Sequence, residues 1–287
     1  MTIPNIISEL DSMVLKNTKE CIDYIGFIIE HIMSGLSWLH NPISSGTIIS
    51  RCRKDAPNLE KESFGCKPQE LVKDFQRASI PHNSVFYGTV GDRNPDDGDF
   101  IAMLETSKLH RNSLTRGKEE IYVSRWRVTK DINSALICHP NVYVDSNPNG
   151  YVNEMQRNYK RKLKDYPSEP DFIPTFDKLV EFVARQFAKK IPEGENSQYM
   201  ISAFFAHFTL EKDDGIVYPS VQVQGNLGYN VALNKDIVDS HLEFIGAEKH
   251  ILYKANDYMQ VPANAYSDKH LAVSLGISSL DILPVID

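Results

Sequence analysis

Arg77-Ala-Ser-Ile-Pro-His-Asn-Ser-Val-Phe-Tyr-Gly88 leads from a lone arginine, through a proline-containing turn, into a short apolar run that ends at Tyr87. Next comes Gly91-Asp-Arg-Asn-Pro-Asp-Asp-Gly98, a loop by composition because its residues favour turns. Phe100-Ile-Ala-Met-Leu-Glu105 then sets one carboxylate behind a second apolar run. Far downstream, Asp214-Gly-Ile-Val-Tyr-Pro-Ser220 and Gly228-Tyr-Asn-Val-Ala-Leu233 are two more short apolar segments carrying polar residues. Short β-rich runs interspersed with helical stretches predict an α+β protein, with a small mixed central sheet and surrounding helices.

Upstream, apolar residues recur at helical spacing from about Ile6 to Leu39, with Lys16-Asn-Thr-Lys19 interrupting them. The pattern predicts two helices, or one bent helix, ended by His40-Asn-Pro42, since proline removes an amide donor. Strands are predicted at 46–49, 84–90, 121–128, 135–138, 215–218 and 229–233. Residues 145–174 are polar and interrupted by proline, a partly helical excursion. Its basic cluster of Arg157, Lys160, Arg161, Lys162 and Lys164 reads as a solvated helix face. Two further helices, 176–190 and 197–210, carry aromatic stripes suited to core packing. The tail past Met259 carries no pattern.

Composition narrows the function classes. The chain has 287 residues, 41% hydrophobic and 24% charged, so a sizeable core is expected. A net charge of −7 argues against a general nucleic-acid or anionic-membrane binder. It leaves room for a local basic pocket. Four scattered cysteines without a CxxC pair read as reduced thiols, as in a cytosolic protein. Nine histidines without an HExxH or i, i+4 pair give no zinc pattern. The apolar stretch 25–39 is too short and too polar to span a bilayer, and the start does not read as a signal peptide.

Two earlier segments join these motifs: Ser50-Arg-Cys-Arg53 and Phe64-Gly-Cys-Lys-Pro-Gln-Glu70. In order and spacing they resemble the RES family, named for its Arg, Glu and Ser residues. They match its early Arg-x-Arg, its Gly-x-x-Pro-x-Glu segment, the central motif from Arg77 to Tyr87 with Glu105, and the late Tyr218-Pro-Ser220 with Asn230. Many members hold Asn and Gly where this chain has Ser79 and His82.

The resemblance implies an ADP-ribosyltransferase-like fold over residues 47–255. It leaves 1–46 as a helical extension and 256–287 as a tail packed on or flanking the domain. It further implies an enzyme that destroys NAD, often a toxin acting in the cytoplasm and held in check by an antitoxin or immunity protein. NAD would be the substrate, with no cofactor and no metal. Cleavage of the nicotinamide–ribose bond builds positive charge on the ribose, which a carboxylate stabilises. The resemblance therefore gives catalytic roles to Glu105, Arg77 and Ser220. Arg51 and Arg77 would meet the pyrophosphate, Arg53 would also bind NAD, Tyr87 would stack on the nicotinamide, and Ser220 and Asn230 would hydrogen-bond the ribose or nicotinamide. Water and phosphate both remain open as acceptors. Two other readings stand beside this one: an ADP-ribosyltransferase acting on a macromolecule, and a non-catalytic interaction protein. Arginine-targeting transferases carry Glu or Gln two residues before the catalytic Glu, where this chain has Met103.

Overall fold

The computed structural model describes residues 2–34, 36–56, 58–91, 94–111, 115–143, 150–165, 171–223, 227–255, 271–276 and 279–282. The first half of the chain forms α1 (Ile3–Ser12), α2 (Lys19–Met33), β1 (Ile48–Arg53), α3 (Lys61–Phe64), β2 (Phe86–Gly91), α4 (Pro95–Thr106), α5 (Lys108–Arg111), β3 (Gly117–Val128) and β4 (Ser134–Leu136). The second half adds α6 (Tyr151–Lys162), α7 (Phe172–Ala188), α8 (Met200–Leu210), β5 (Gly215–Pro219), β6 (Gly228–Leu233), α9 (Lys235–His241), β7 (Leu242–Ala255), β8 (Leu271–Gly276) and β9 (Ser279–Ile282).

Among the described residues the strands form one mixed sheet of nine, in the order β4-β5-β6-β2-β1-β3-β7-β8-β9. The α+β class holds, but the sheet is larger than the small one expected. Part of the excess is β7, fourteen residues that pair antiparallel along the whole of β3. Its exposed Glu243 and Glu248 hide the strand signal. The other part is β8 and β9; the rest of the tail from 256 onward, and its expected packing, lies outside the described residues.

α1 and α2 are separate helices, and the Thr18 hydroxyl caps α2 at the predicted break. α2 stops at Met33, well before His40-Asn-Pro42. Residues 38–43 run instead alongside β4: the Trp38 indole donates to Leu136 O at 2.8 Å, and His40 and Ile43 bridge to Ala135 and Ile132. Backbone pairing along an otherwise open sheet edge has overridden the helical period. α1 and α2 share one apolar cluster with α7, α8 and the sheet, where Trp38 meets Phe205 and Phe176 edge-on at 4.7 and 5.5 Å. On the sheet, Trp126 lies between Phe86 and Phe244. Such pairs add about 0.5–1.5 kcal/mol each beyond burial alone.

The stretch 91–98 is only partly loop. Asn94 accepts from the Asp97 amide as an N-cap, Pro95 opens α4, and Asp96 and Asp97 occupy its first turn. Asn, Pro and Asp serve a helix start as well as a turn, which is why composition alone misplaced this boundary. Among the described residues, no helix is long and apolar enough to cross a membrane.

Gly228 starts β6 at φ +149°, and a Cβ there would lie 2.0 Å from Val90 O. Gly228→Ala should therefore destabilise the fold by more than about 1 kcal/mol. The expected result is a lower urea midpoint at unchanged m-value; an unchanged midpoint would mean that the β2–β6 contact yields more easily than the backbone indicates.

Candidate active site

The cleft forms where the sheet comes apart. β1 and β2 are neighbours, yet their only register pair among the described residues is Ser50 with Thr89. Beyond it the strands separate, and the Arg51 guanidinium reaches across to Tyr87 O at 2.9 Å. A side chain here satisfies a carbonyl that a strand partner would otherwise take. The opening is a cleft of about 880 Å³, within the usual range for small-molecule sites.

A polar row crosses the sheet face beneath α4. Tyr218 pairs with Asn230, Asn230 with Thr89, Thr89 with Ser50, and Ser50 with Arg125. Cross-strand partners share a face, so these side chains all point toward α4. The helix answers them: Asp99 accepts from Ser50 Oγ and Arg125 Nε, and Gly98 O accepts from Thr89 Oγ1 at 2.6 Å. At the last turn, Glu105 Oε1 accepts from Asn230 Nδ2 at 2.9 Å and from Ser220 Oγ at 2.7 Å. Both donors take the same oxygen. Oε2 has no protein hydrogen bond among the described residues.

Strand alternation sends Arg51 and Arg53 to the opposite face, and the split lets both line the cleft. Arg51 is 8% exposed, lies 4.4 Å from the Phe86 ring centroid, and leaves its Nε without a partner. Burial, and after it the neighbouring Arg53 charge, lowers the Arg51 pKa from the usual guanidinium value. Arg53 donates to Gly65 O at 2.7 Å, and its Nε is likewise orphaned. Two adjacent arginines without a carboxylate partner make a place for an anion. Arg77, Arg111, Lys190 and Lys54, the last ion-paired with Glu119, also line the cleft, against Asp74 and Glu105 among the described lining residues. The chain is acidic overall; this cleft is not. His110 adds no charge at neutral pH, because burial and then Lys254 push its pKa down.

All seven residues expected at a site lie in or against this cleft. Arg51, Arg53, Arg77, Tyr87, Glu105 and Asn230 line the cleft. Ser220 is fully buried behind Glu105 and orients it. Arg77 donates to Phe187 O and Lys189 O at the C-terminal end of α7, with its guanidinium 5.2 Å from the Tyr199 ring centroid. A cation is favoured at a helix C-terminus, so Arg77 also fixes the cleft wall. The Tyr87 hydroxyl accepts from Ala78 N at 3.0 Å and donates to Ser79 Oγ at 3.3 Å, pinning the turn that follows Arg77. In that turn His82 has φ +60°, after Pro81, with Asn83 N bonded to Ile80 O. This is the left-handed position of a type II turn, which glycine favours and histidine tolerates.

Tyr199, Tyr218, Asn196 and Gln222 also line the cleft, and no single stretch of sequence marks them together. Among the described residues, no group of His, Cys, Asp and Glu is placed to hold a metal ion. The four cysteines are unpaired, and burial pushes the Cys52 thiol at the cleft up to about 12. No protein-family model, curated protein or solved structure matches the chain.

The cleft should take a compact polyanion. Pyrophosphate at 100 times its dissociation constant would add about 2.7 kcal/mol of stability, read as a raised melting temperature. Arg53→Met should remove most of that shift, and a wild-type protein indifferent to pyrophosphate would show that these arginines serve structure alone.

Proposed function

We propose that the chain cleaves the nicotinamide–ribose bond of NAD and passes ADP-ribose to water or phosphate. The C–N bond breaks with its electron pair going to nicotinamide, which leaves neutral. The ribose carbon gains an oxygen from the acceptor, whose proton is lost. One observation carries the reading: Glu105 is held through Oε1 by two neutral donors, with no partner for Oε2 among the described residues, beside a cationic cleft. A fixed carboxylate stabilises a developing oxocarbenium without reorganising. Arg51 and Arg53 suit the pyrophosphate. The RES-like order of motifs supports the same chemistry, and with it an ADP-ribosyltransferase-like framework, a toxin acting in the cytoplasm, and an antitoxin or immunity protein as partner.

The transferase reading is less well supported. Met103, two residues before Glu105, is 4% exposed and packs in an apolar cluster with Phe100, Leu104, Ile121 and Val123. On a helix that position faces away from Glu105, which weighs against the transferase reading.

Purified protein given NAD alone should release nicotinamide over many turnovers. Glu105→Gln should remain folded and lose on the order of 10²–10³-fold in turnover; full activity in that variant would remove Glu105 from the chemistry. Labelled NAD incubated with cell lysate should leave little label on macromolecules. Strong labelling of one band, with negligible turnover in its absence, would instead favour the transferase.

A further inference from the structure

The cleft has a hydroxyl with nothing to bind. Tyr218 is 3% exposed, yet it lines the cleft. Its ring is held edge-on by Phe187 at 5.1 Å, and its backbone pairs with Asn230, the residue that holds Glu105. Its hydroxyl hydrogen-bonds no protein group among the described residues. It differs from the Tyr143 hydroxyl, which is orphaned and sealed from solvent. Burial holds the Tyr218 hydroxyl well above the ordinary phenol range, so it stays a donor. Being open to the cleft, it is satisfied only by solvent or by a ligand that enters there.

Strand order says which part of a ligand it meets. Arg51, Arg53 and Lys54 lie on or just past β1, and Tyr218 lies on β5, with β2 and β6 between them. Glu105 sits over β6 through Asn230. The anionic part of a substrate belongs on the β1 side and the group beyond the scissile bond on the β5 side. The surroundings of Tyr218 are aromatic: Tyr87 acts electrostatically on its hydroxyl, and Tyr199 lies against Arg77. The nearby cation, Arg77, is already engaged by two α7 carbonyls. Aromatic walls suit a flat cationic ring such as a pyridinium.

We infer that Tyr218 is a substrate-contacting residue whose hydroxyl bonds the carboxamide of the nicotinamide group and sets the scissile bond against Glu105. The inference rests on the NAD reading of this cleft.

Tyr218→Phe keeps the ring and removes only the hydroxyl. It should lower kcat/KM for NAD on the order of 10–10²-fold and weaken inhibition by free nicotinamide by a similar factor. Pyrophosphate binding and melting temperature should stay at the wild-type level, because no bond within the protein is lost. Unchanged kcat/KM and nicotinamide inhibition in the variant, beside an active wild type, would overturn the assignment of Tyr218 alone. So would a fall in melting temperature with loss of pyrophosphate binding, which would make the hydroxyl structural. A wild-type protein that releases no nicotinamide would overturn the NAD reading and this inference with it.

Discussion

A single register pair, Ser50 with Thr89, joins the two halves of the sheet. Everything in the candidate site depends on it. A sheet that stayed zipped between β1 and β2 would have no cleft, and one without this pair would have no continuous row beneath α4. The strands separate without leaving Tyr87 O unsatisfied because Arg51 crosses the gap. Gly88 makes the close approach possible: a Cβ there would lie 2.4 Å from Ile49 Cγ2. The opening is thus part of the hydrogen-bond accounting of the fold.

α4 converts that opening into a chemical site. Its N-terminal half is anchored by Asp99, which ties β1 to β3 through Ser50 and Arg125. Glu105 comes at the other end, where the helix dipole disfavours an anion by about 0.3–1 kcal/mol. Packing gives no reason for a carboxylate there. The two donors from β5–β6 offset the penalty and also fix the geometry. Buried Arg51 and half-buried Arg53 show the same departure from stability, as cations whose buried Nε atoms have no partner. Local rules broken together, around one cavity, are a mark of function in an otherwise consistent fold.

Much of this was legible in the sequence, but unevenly. Central strands such as β2, β5 and β6 are short apolar runs and read directly. β7 did not, because exposed Glu243, Glu248 and Lys249 break the apolar alternation. The first turn of α4 was hidden by residues that serve turns and caps equally. The end of α2 was set by pairing of residues 38–43 along β4, a contact nearly a hundred residues away in sequence. Ordered motifs named all seven candidate site residues, yet their division of labour could not be read from order. Nothing local tells Ser220, sealed behind the carboxylate, from Tyr218, two residues earlier and open to the cleft.

That division has a physical logic. Glu105 offers the cleft an oxygen that has no protein partner among the described residues. Ser220 orients it, and Arg77 ties the end of α7 into the wall through backbone carbonyls. Residues that orient a group from outside the cleft can be held by the fold at all times, so binding a substrate need not reorganise them. A carboxylate held in place in advance by fixed donors is worth more to a developing positive charge than one that must first turn toward it. Ser220 and Asn230 meet this condition, since β5–β6 pairing sets the position of Asn230 before any ligand arrives. The sheet that splits to form the cleft therefore also holds, on its unsplit side, the donors that keep the carboxylate in place.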